Sequence, residues 1–169
     1  MSMNQGALAP IHDAVWKNDL QYLKMLIAHG TDVSMRTSQG ATPLLLAAEK
    51  GSVSLAQELL FNKADPYAVD RWGQTALHIA AFHGNVQLVQ ALLLHMDDIS
   101  ATTKRGNRAV DMCQDVHTHR LLVAHLNHQA TCQRWRLEDS IVAMSQDLKP
   151  KQEELVRVSK QAEVISCSL

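Results

Sequence analysis

The chain is sparing with several things. Its 169 residues include three cysteines, four prolines, seven glycines and 4% aromatics. Cys113, Cys132 and Cys167 are odd in number and lie in the last third, which excludes a disulfide framework and points to reduced thiols inside a cell. Neither sign of charge dominates: 16 basic residues stand against 17 acidic ones, a net charge of -1. Without a basic excess there is no electrostatic footprint for nucleic acid or for an anionic membrane, and neither is expected as a partner. No apolar run approaches the roughly 18 residues of a membrane span. The opening MSMNQGALAPIHDAV also lacks the charged and apolar regions of a secretory signal. The expectation is a soluble intracellular chain, cytoplasmic rather than nuclear. Catalytic equipment is missing too: there is no glycine-rich phosphate loop, no nucleophile elbow and no carboxylate pair in a pocket-forming context. The chain reads as a non-enzyme without cofactor. What it does have is 46% apolar and 20% charged residues, a globular balance that can bury a core.

It also has a period. GATPLLLAAEKGSVSLAQELL at 40–60 recurs as GQTALHIAAFHGNVQLVQALL at 73–93, and Gly40, Gly73 and Gly106 follow one another at 33 residues, as do Gly51 and Gly84. One step back from Gly40, LAPIHDAVWKNDLQYLKMLI aligns as a degraded copy. Four units result, at 7–39, 40–72, 73–105 and 106–129, the first and last irregular in the manner of terminal caps. The period, with TPLLLAA, TALHIAA and APIHDAV, closely resembles the ankyrin repeat, whose signature is T-P-L-H-x-A. The resemblance covers about residues 5 to 127. It implies an all-α dominated solenoid of stacked helix-turn-helix units with short hairpin connections.

The residues argue for the same shape on their own terms. Thr42 and Thr75 stand where a first helix would start, their side-chain oxygens able to cap an orphan backbone N–H. Pro43 follows at the first helical position, where a missing N–H costs nothing. The small pairs Ala47/Ala48 and Ala80/Ala81 let neighbouring helices approach, and Gly51 and Gly84 can end the helix in a left-handed conformation. A second helix carries Leu55, Leu59 and Leu60, then Leu88, Val89, Leu92 and Leu93, at helical spacing. Neither helix pair is large enough to bury its apolar face alone, so each copy must complete the core of its neighbour.

Departures mark where the stack should be irregular. The family's glycine after the second helix is present as Gly30 but replaced by Lys63 and Met96, so those corners should be strained or differently shaped. In the fourth copy Cys113 and Gln114 replace the alanine pair and His117 stands where glycine stood. Beyond residue 129 the period stops. An amphipathic tail at 130–169 carries Leu137, Ile141, Met144, Leu148, Leu155, Val158, Ala162 and Ile165 in a heptad-like stripe, with Lys151 the polar exception. Pro150 divides it into two helices. Three fates stay open for the tail: folding back on the stack, binding a partner or another copy as a coiled coil, and disorder.

Two sets of side chains invite a chemical reading. His12 and His78 occupy the histidine of the family signature, where the resemblance implies a brace between turns rather than acid-base work. Cys113, His117, His119, His125, His128 and Cys132 cluster in sequence, and His125, His128 and Cys132 would share one helix face. Their spacing matches no familiar zinc motif, so they are read as solvated or capping groups and no metal is expected.

Recognition remains. A stack turns one surface position into a row, and the variable positions lie at the hairpin tips and at the ends of the first helices. They hold Trp16 and Lys17; Ser38, Gln39, Ala41, Glu49 and Lys50; Arg71, Trp72, Gln74, Phe82 and His83; Lys104, Arg105 and Asn107. Trp16, Trp72 and Phe82 are either partner anchors or covers for the adjoining repeat. The reading is a protein-protein interaction module, an adaptor or regulatory scaffold, working through the concave face. The alternative is an assembly subunit that self-associates through the tail stripe.

Overall fold

The computed structural model describes residues 9–131 together with Arg134, Arg136 and Leu137. They belong to two compact units that divide between Ala124 and His125. The first contains three helix pairs: α1 (Pro10–Trp16) with α2 (Leu20–Ala28), α3 (Pro43–Lys50) with α4 (Val53–Phe61), and α5 (Ala76–Phe82) with α6 (Val86–Leu93). A single 3-10 turn at Ala109–Met112 follows, and residues 116–124 are again helical. Helix α3 packs against both α1 and α5, while α4 lies against α2 and α6. First helices therefore form one layer and second helices another, the stacked all-α architecture that the repeat implied.

Local chemistry sets each boundary. Thr42 Oγ1 accepts the Leu45 N–H at 3.3 Å with Pro43 at the first helical position, and Thr75 is bonded instead to the His78 ring, 2.8 Å from hydroxyl to Nδ1. Ala9 offers no side-chain cap to α1, where Pro10 alone marks the start. Second helices begin at Asp19 and Asn85, whose side chains accept the N–H groups of Tyr22 and Leu88. Between the helices of a pair the backbone turns left-handed at Gly51 (φ 69°) and Gly84 (φ 66°). In the first copy Asn18 takes that place at φ 55°, a conformation asparagine tolerates better than other non-glycine residues. These turns also lock one copy to the next: the Ser52 hydroxyl donates to Asn18, and Asn85 Nδ2 donates to the Gly51 carbonyl at 3.1 Å.

The core is what the stacking leaves without water. Ala47, Ala48, Ala80 and Ala81 are buried between successive first helices, and Leu55, Leu59, Leu88 and Leu92 between the two layers. Each buried leucine contributes about 1.5–3 kcal/mol relative to an exposed one. The two helices of one copy cover only part of this apolar surface, and neighbouring copies cover the rest.

Corners after the second helices differ as the missing glycines implied. Gly30 turns at φ 82° and Lys63 at φ 64°, the lysine accepting a left-handed backbone that costs about 1–2 kcal/mol. Both are closed by the same pair of backbone bonds, Gly30 N–H to Ile27 and Thr31 N–H to Leu26, then Lys63 N–H to Leu60 and Ala64 N–H to Leu59. The third corner abandons that geometry: Met96 is buried and has no positive φ. Its strand of backbone is held instead by Tyr67 of the preceding copy, whose hydroxyl accepts the N–H groups of Asp97 (2.9 Å) and Asp98 (3.2 Å). The fourth copy is reduced further. Its first helix is the 3-10 turn, held by the Asp111 carboxylate accepting the Arg108 N–H at 3.0 Å, and Cys113 has extended backbone. With His117 in place of glycine, no left-handed turn forms; Asp115 accepts the Thr118 N–H at 2.9 Å and the next helix starts at once.

Successive hairpin turns repeat one design. Gly40, Gly73 and Gly106 each donate to the residue three before, and Ala41, Gln74 and Asn107 accept from Thr37, Asp70 and Thr103. At Gly73 (φ 77°) a Cβ would lie 3.0 Å from the backbone nitrogen of Lys104. That glycine is required both by its φ and by the closeness of the next hairpin.

In the second unit residues 125–131, Arg134, Arg136 and Leu137 are helical, and Leu137 is exposed. Ile141, Met144, Leu148, Leu155, Val158 and Ile165 of the expected stripe lie outside the described residues, as do Pro150 and Cys132.

Two stability tests follow from the corners. Gly73→Ala should lower the urea midpoint by the equivalent of about 1–3 kcal/mol, through left-handed strain and the Lys104 clash together. Tyr67→Phe should cost about 0.5–1.5 kcal/mol by removing the acceptor of two N–H groups, and amide hydrogen exchange should accelerate at Asp97 and Asp98. Unchanged exchange there would show that the hydroxyl does not hold the corner.

Candidate functional site

The side of the first unit that carries the hairpin tips and the C-terminal ends of α1, α3 and α5 collects the variable residues. Trp16, Glu49 and Phe82 are equivalent positions of three copies, and so are Lys17, Lys50 and His83. All six are exposed. At the tips Arg71 and Lys104 are equivalent, as are Trp72 and Arg105, and all four are exposed along with Ser38, Gln39 and Asn107. Ala41 and Gln74 are the exceptions, half-buried at the hairpin base with their N–H groups held by Thr37 (3.1 Å) and Asp70 (2.9 Å); Asn107 is held in the same way by Thr103 (3.3 Å) and is exposed. An inner helix of eight residues, about 12 Å long, separates tip from helix end in the second copy.

The aromatics are exposed to similar extents, Trp16 at 55%, Trp72 at 53% and Phe82 at 45%. None is a buried cover for the next repeat. Two of them carry a cation. The Lys50 ammonium sits 3.5 Å from the Trp16 ring centroid, joining first and second copies, and the Arg71 guanidinium lies 4.1 Å over Trp72. Phe82 meets the His83 ring edge-on at 5.5 Å. Each exposed cation–π pair contributes about 0.5–1 kcal/mol and, more to the point, fixes both groups in place.

Asp70 and Arg36, neither marked by the reading of variable positions, position this surface together with Lys104. Asp70 Oδ1 accepts the Trp72 N–H at 2.8 Å as well as that of Gln74, so it fixes the backbone that presents the indole. The Lys104 N–H donates to the Trp72 carbonyl at 2.9 Å, tying the third hairpin to the second. Arg36 does the same between first and second, its Nη1 donating to the carbonyls of Gly40 (3.2 Å) and Val69 (2.8 Å). Asp70 could have been found by alignment of the copies, since it stands where Thr37 and Thr103 also offer an oxygen. Nothing local marks Arg36.

The histidines behave as braces. His12 Nε2 donates to the Met35 carbonyl at 3.0 Å across to the next hairpin. His78 Nδ1 accepts the Thr75 N–H at 3.2 Å, which leaves its proton on Nε2, beside the backbone of Ala101 and Asn107. The second nitrogen of each ring, Nδ1 of His12 and Nε2 of His78, is buried without a hydrogen bond of good geometry. Burial pushes both imidazoles below their ordinary value of 6.5, against a smaller upward pull from the neighbouring carbonyls. Held neutral and fenced from solvent, they are poor proton carriers for any substrate.

Described members of the histidine and cysteine cluster make local contacts, each within its own unit. His119 Nδ1 donates to the Val110 carbonyl at 3.3 Å, His125 accepts from Gln129 at 3.0 Å, and Cys113 Sγ points to the Ala109 carbonyl at 3.5 Å. Burial raises the Cys113 thiol above its ordinary value, with Asp115 and Asp111 adding to the shift, so it is not an activated nucleophile. Among the described residues no group of three or more histidine, cysteine, aspartate or glutamate side chains could hold a metal.

Comparison with known proteins agrees with this architecture. The family described as ankyrin repeats (3 copies) matches residues 11–105. The chain belongs to the ankyrin repeat family. Over 51 residues, 30% of this chain and 7% of the other, it is 41% identical to the human 2-5A-dependent ribonuclease. Over 64 residues, 38% of this chain and 42% of the other, it is 33% identical to human protein phosphatase 1 regulatory subunit 27, and equally to that of Mus musculus. The matched part is thus less than half the length of each relative. Among the described residues no helix is long and apolar enough to cross a membrane.

The lowered imidazoles carry a pH prediction. A histidine whose folded value lies below 6.5 stays neutral in the fold while the unfolded chain takes up the proton. Its contribution to stability is complete above 6.5 and is lost as pH falls below it. Asp32, Asp98, Asp111 and Asp115, all lowered from 3.8 by local hydrogen bonds, act in a more acidic window. The urea midpoint should therefore drop between about pH 7 and pH 5. In a His12→Gln/His78→Gln variant, less stable at neutral pH, that slope should flatten; an unaltered slope would place the linkage in other groups.

Proposed function

We propose that this chain is a non-catalytic protein-protein interaction module, an adaptor or regulatory scaffold that receives a protein partner along its hairpin tips and inner-helix ends. The observation that carries the reading is the set of three half-exposed aromatics, Trp16, Trp72 and Phe82, on a chain with 4% aromatics in all. Aromatics and arginine in the open, held by fixed neighbours, are the residues most often found as binding hot spots. A rigid backbone beneath them lowers the ordering cost of association. The likeness to a protein named as a regulatory subunit, over 38% of this chain, supports a regulatory role. A non-enzyme reading is supported by the inert histidines. The free Cys113 fits an intracellular, cytoplasmic setting. Assembly through the tail is the second reading, favoured by Leu137 standing 65% exposed on its helix.

Trp72→Ala tests the first reading. Because the indole is half-exposed and pinned through its backbone, the variant should keep its stability within about 1 kcal/mol. Capture of partner proteins by the full chain should weaken by about 2 kcal/mol or more, the scale of a hot spot. A stability loss with undiminished capture would remove the indole from the binding surface.

A further inference from the structure

We infer that the segment this face receives is an acidic peptide stretch of another protein. The inference rests on the binding reading above and adds the chemistry of the occupant. The chain's net charge of -1 hides a separation of sign. Lys50, Arg71, Lys104 and Arg105 are all exposed on the tip and inner-helix side, and none forms a salt bridge with a described residue. The acids nearby are few: Asp13 is already taken by Lys17 at 2.8 Å, Arg108 is neutralised by Asp111 at 3.1 Å, the half-buried Asp70 spends one carboxylate oxygen on the Trp72 and Gln74 N–H groups, and Glu49 remains. Acids gather elsewhere, at the equivalent positions Asp32, Asp65 and Asp98 in the turns after the second helices, where each accepts a backbone N–H two residues on.

A partner that covers four unpaired cations removes them from water. Nothing then replaces that hydration unless the partner brings carboxylates, whose charge and hydrogen bonds offset its loss. Arg71 is prepared for this. Its guanidinium is stacked over Trp72, whose backbone is fixed by Asp70 at 2.8 Å and by Lys104 at 2.9 Å. A stacked guanidinium keeps its N–H edges free, and those edges match a carboxylate in a two-bond fork. Lys50, over Trp16, presents a second charge with its position already restricted. The same pairs argue against nucleic acid: one face of each indole is occupied by a cation and unavailable for base stacking, and four cations on a chain of net negative charge make a weak phosphate track.

The test uses the full chain, immobilised, against a random display library of peptides about 15 residues long, which fully extended reach roughly 50 Å. Selected peptides are synthesised and their affinities measured for the native chain, for Arg71→Glu/Lys104→Glu and for Trp72→Ala, each checked for an unchanged melting temperature. The expected result is enrichment of aspartate and glutamate, binding at least about tenfold weaker to the charge-reversed variant, and further weakening as salt rises from about 50 to about 500 mM. Neutral or basic peptides that lose affinity for Trp72→Ala but not for the reversed variant would overturn the acidic partner and leave the docking face standing. Peptides that bind all three chains equally, or no selected peptides at all, would overturn both. A random single-stranded oligonucleotide that binds tighter than the selected peptides would overturn the choice of peptide. So would self-association of the native chain, seen by sedimentation and abolished by Arg71→Glu/Lys104→Glu, because the acidic turns of a second copy would then be the occupant.

Discussion

Everything in the stack depends on how closely one copy can approach the next. Alanine pairs bring the backbones of α1, α3 and α5 together without intervening side chains, and at Gly73 the approach is so tight that a single added carbon would meet the following hairpin. That closeness closes the core, since no helix pair here could bury its own apolar face. It also lets polar groups of one copy reach the backbone of another, as Asn85 reaches Gly51 and Arg36 reaches Val69. Hydrophobic stacking and cross-copy hydrogen bonding are thus two results of one constraint, and each helps to fix the interval.

A constant interval is what gives the surface its order. Trp16, Glu49 and Phe82 fall in line because their helices do, not because they attract one another. The residues that hold the interval are buried, while those on the exposed row are almost free of structural duty. Scaffold and recognition are therefore carried by separate positions, which is why one architecture serves unrelated partners and why the fold by itself names none of them.

Much of this was legible in the sequence where a residue answers to its own backbone. Thr42 with Pro43, the alanine pairs and the left-handed glycines announce helix starts, contacts and stops because their physics is local. Irregular corners were legible as departures but not in their form. Lys63 accepted the strain, whereas at Met96 a tyrosine hydroxyl from thirty residues earlier took over, a solution that exists only once the copies are stacked. Asn18 standing in for glycine is legible only by aligning the first copy with Gly51 and Gly84. At the candidate site, exposure followed from position in the repeat, except at the half-buried Ala41 and Gln74. The cation–π pairs depend on side-chain placement in three dimensions and leave no trace in spacing. The stripe from Ile141 to Ile165 lies outside the described residues.

The shortened fourth copy has a bearing on how such an array can change in length. Where an internal copy offers a helix faced with small residues, this one has a 3-10 turn followed by extended backbone at Cys113. Among the described residues, that turn lacks the small-residue helix face on which α3 and α5 pack. Lengthening by duplication would have to copy the middle of the array, between residues 40 and 105, where each unit presents the same two faces. The closing copy behaves like the last stitch of a seam: it can be moved along but not built upon.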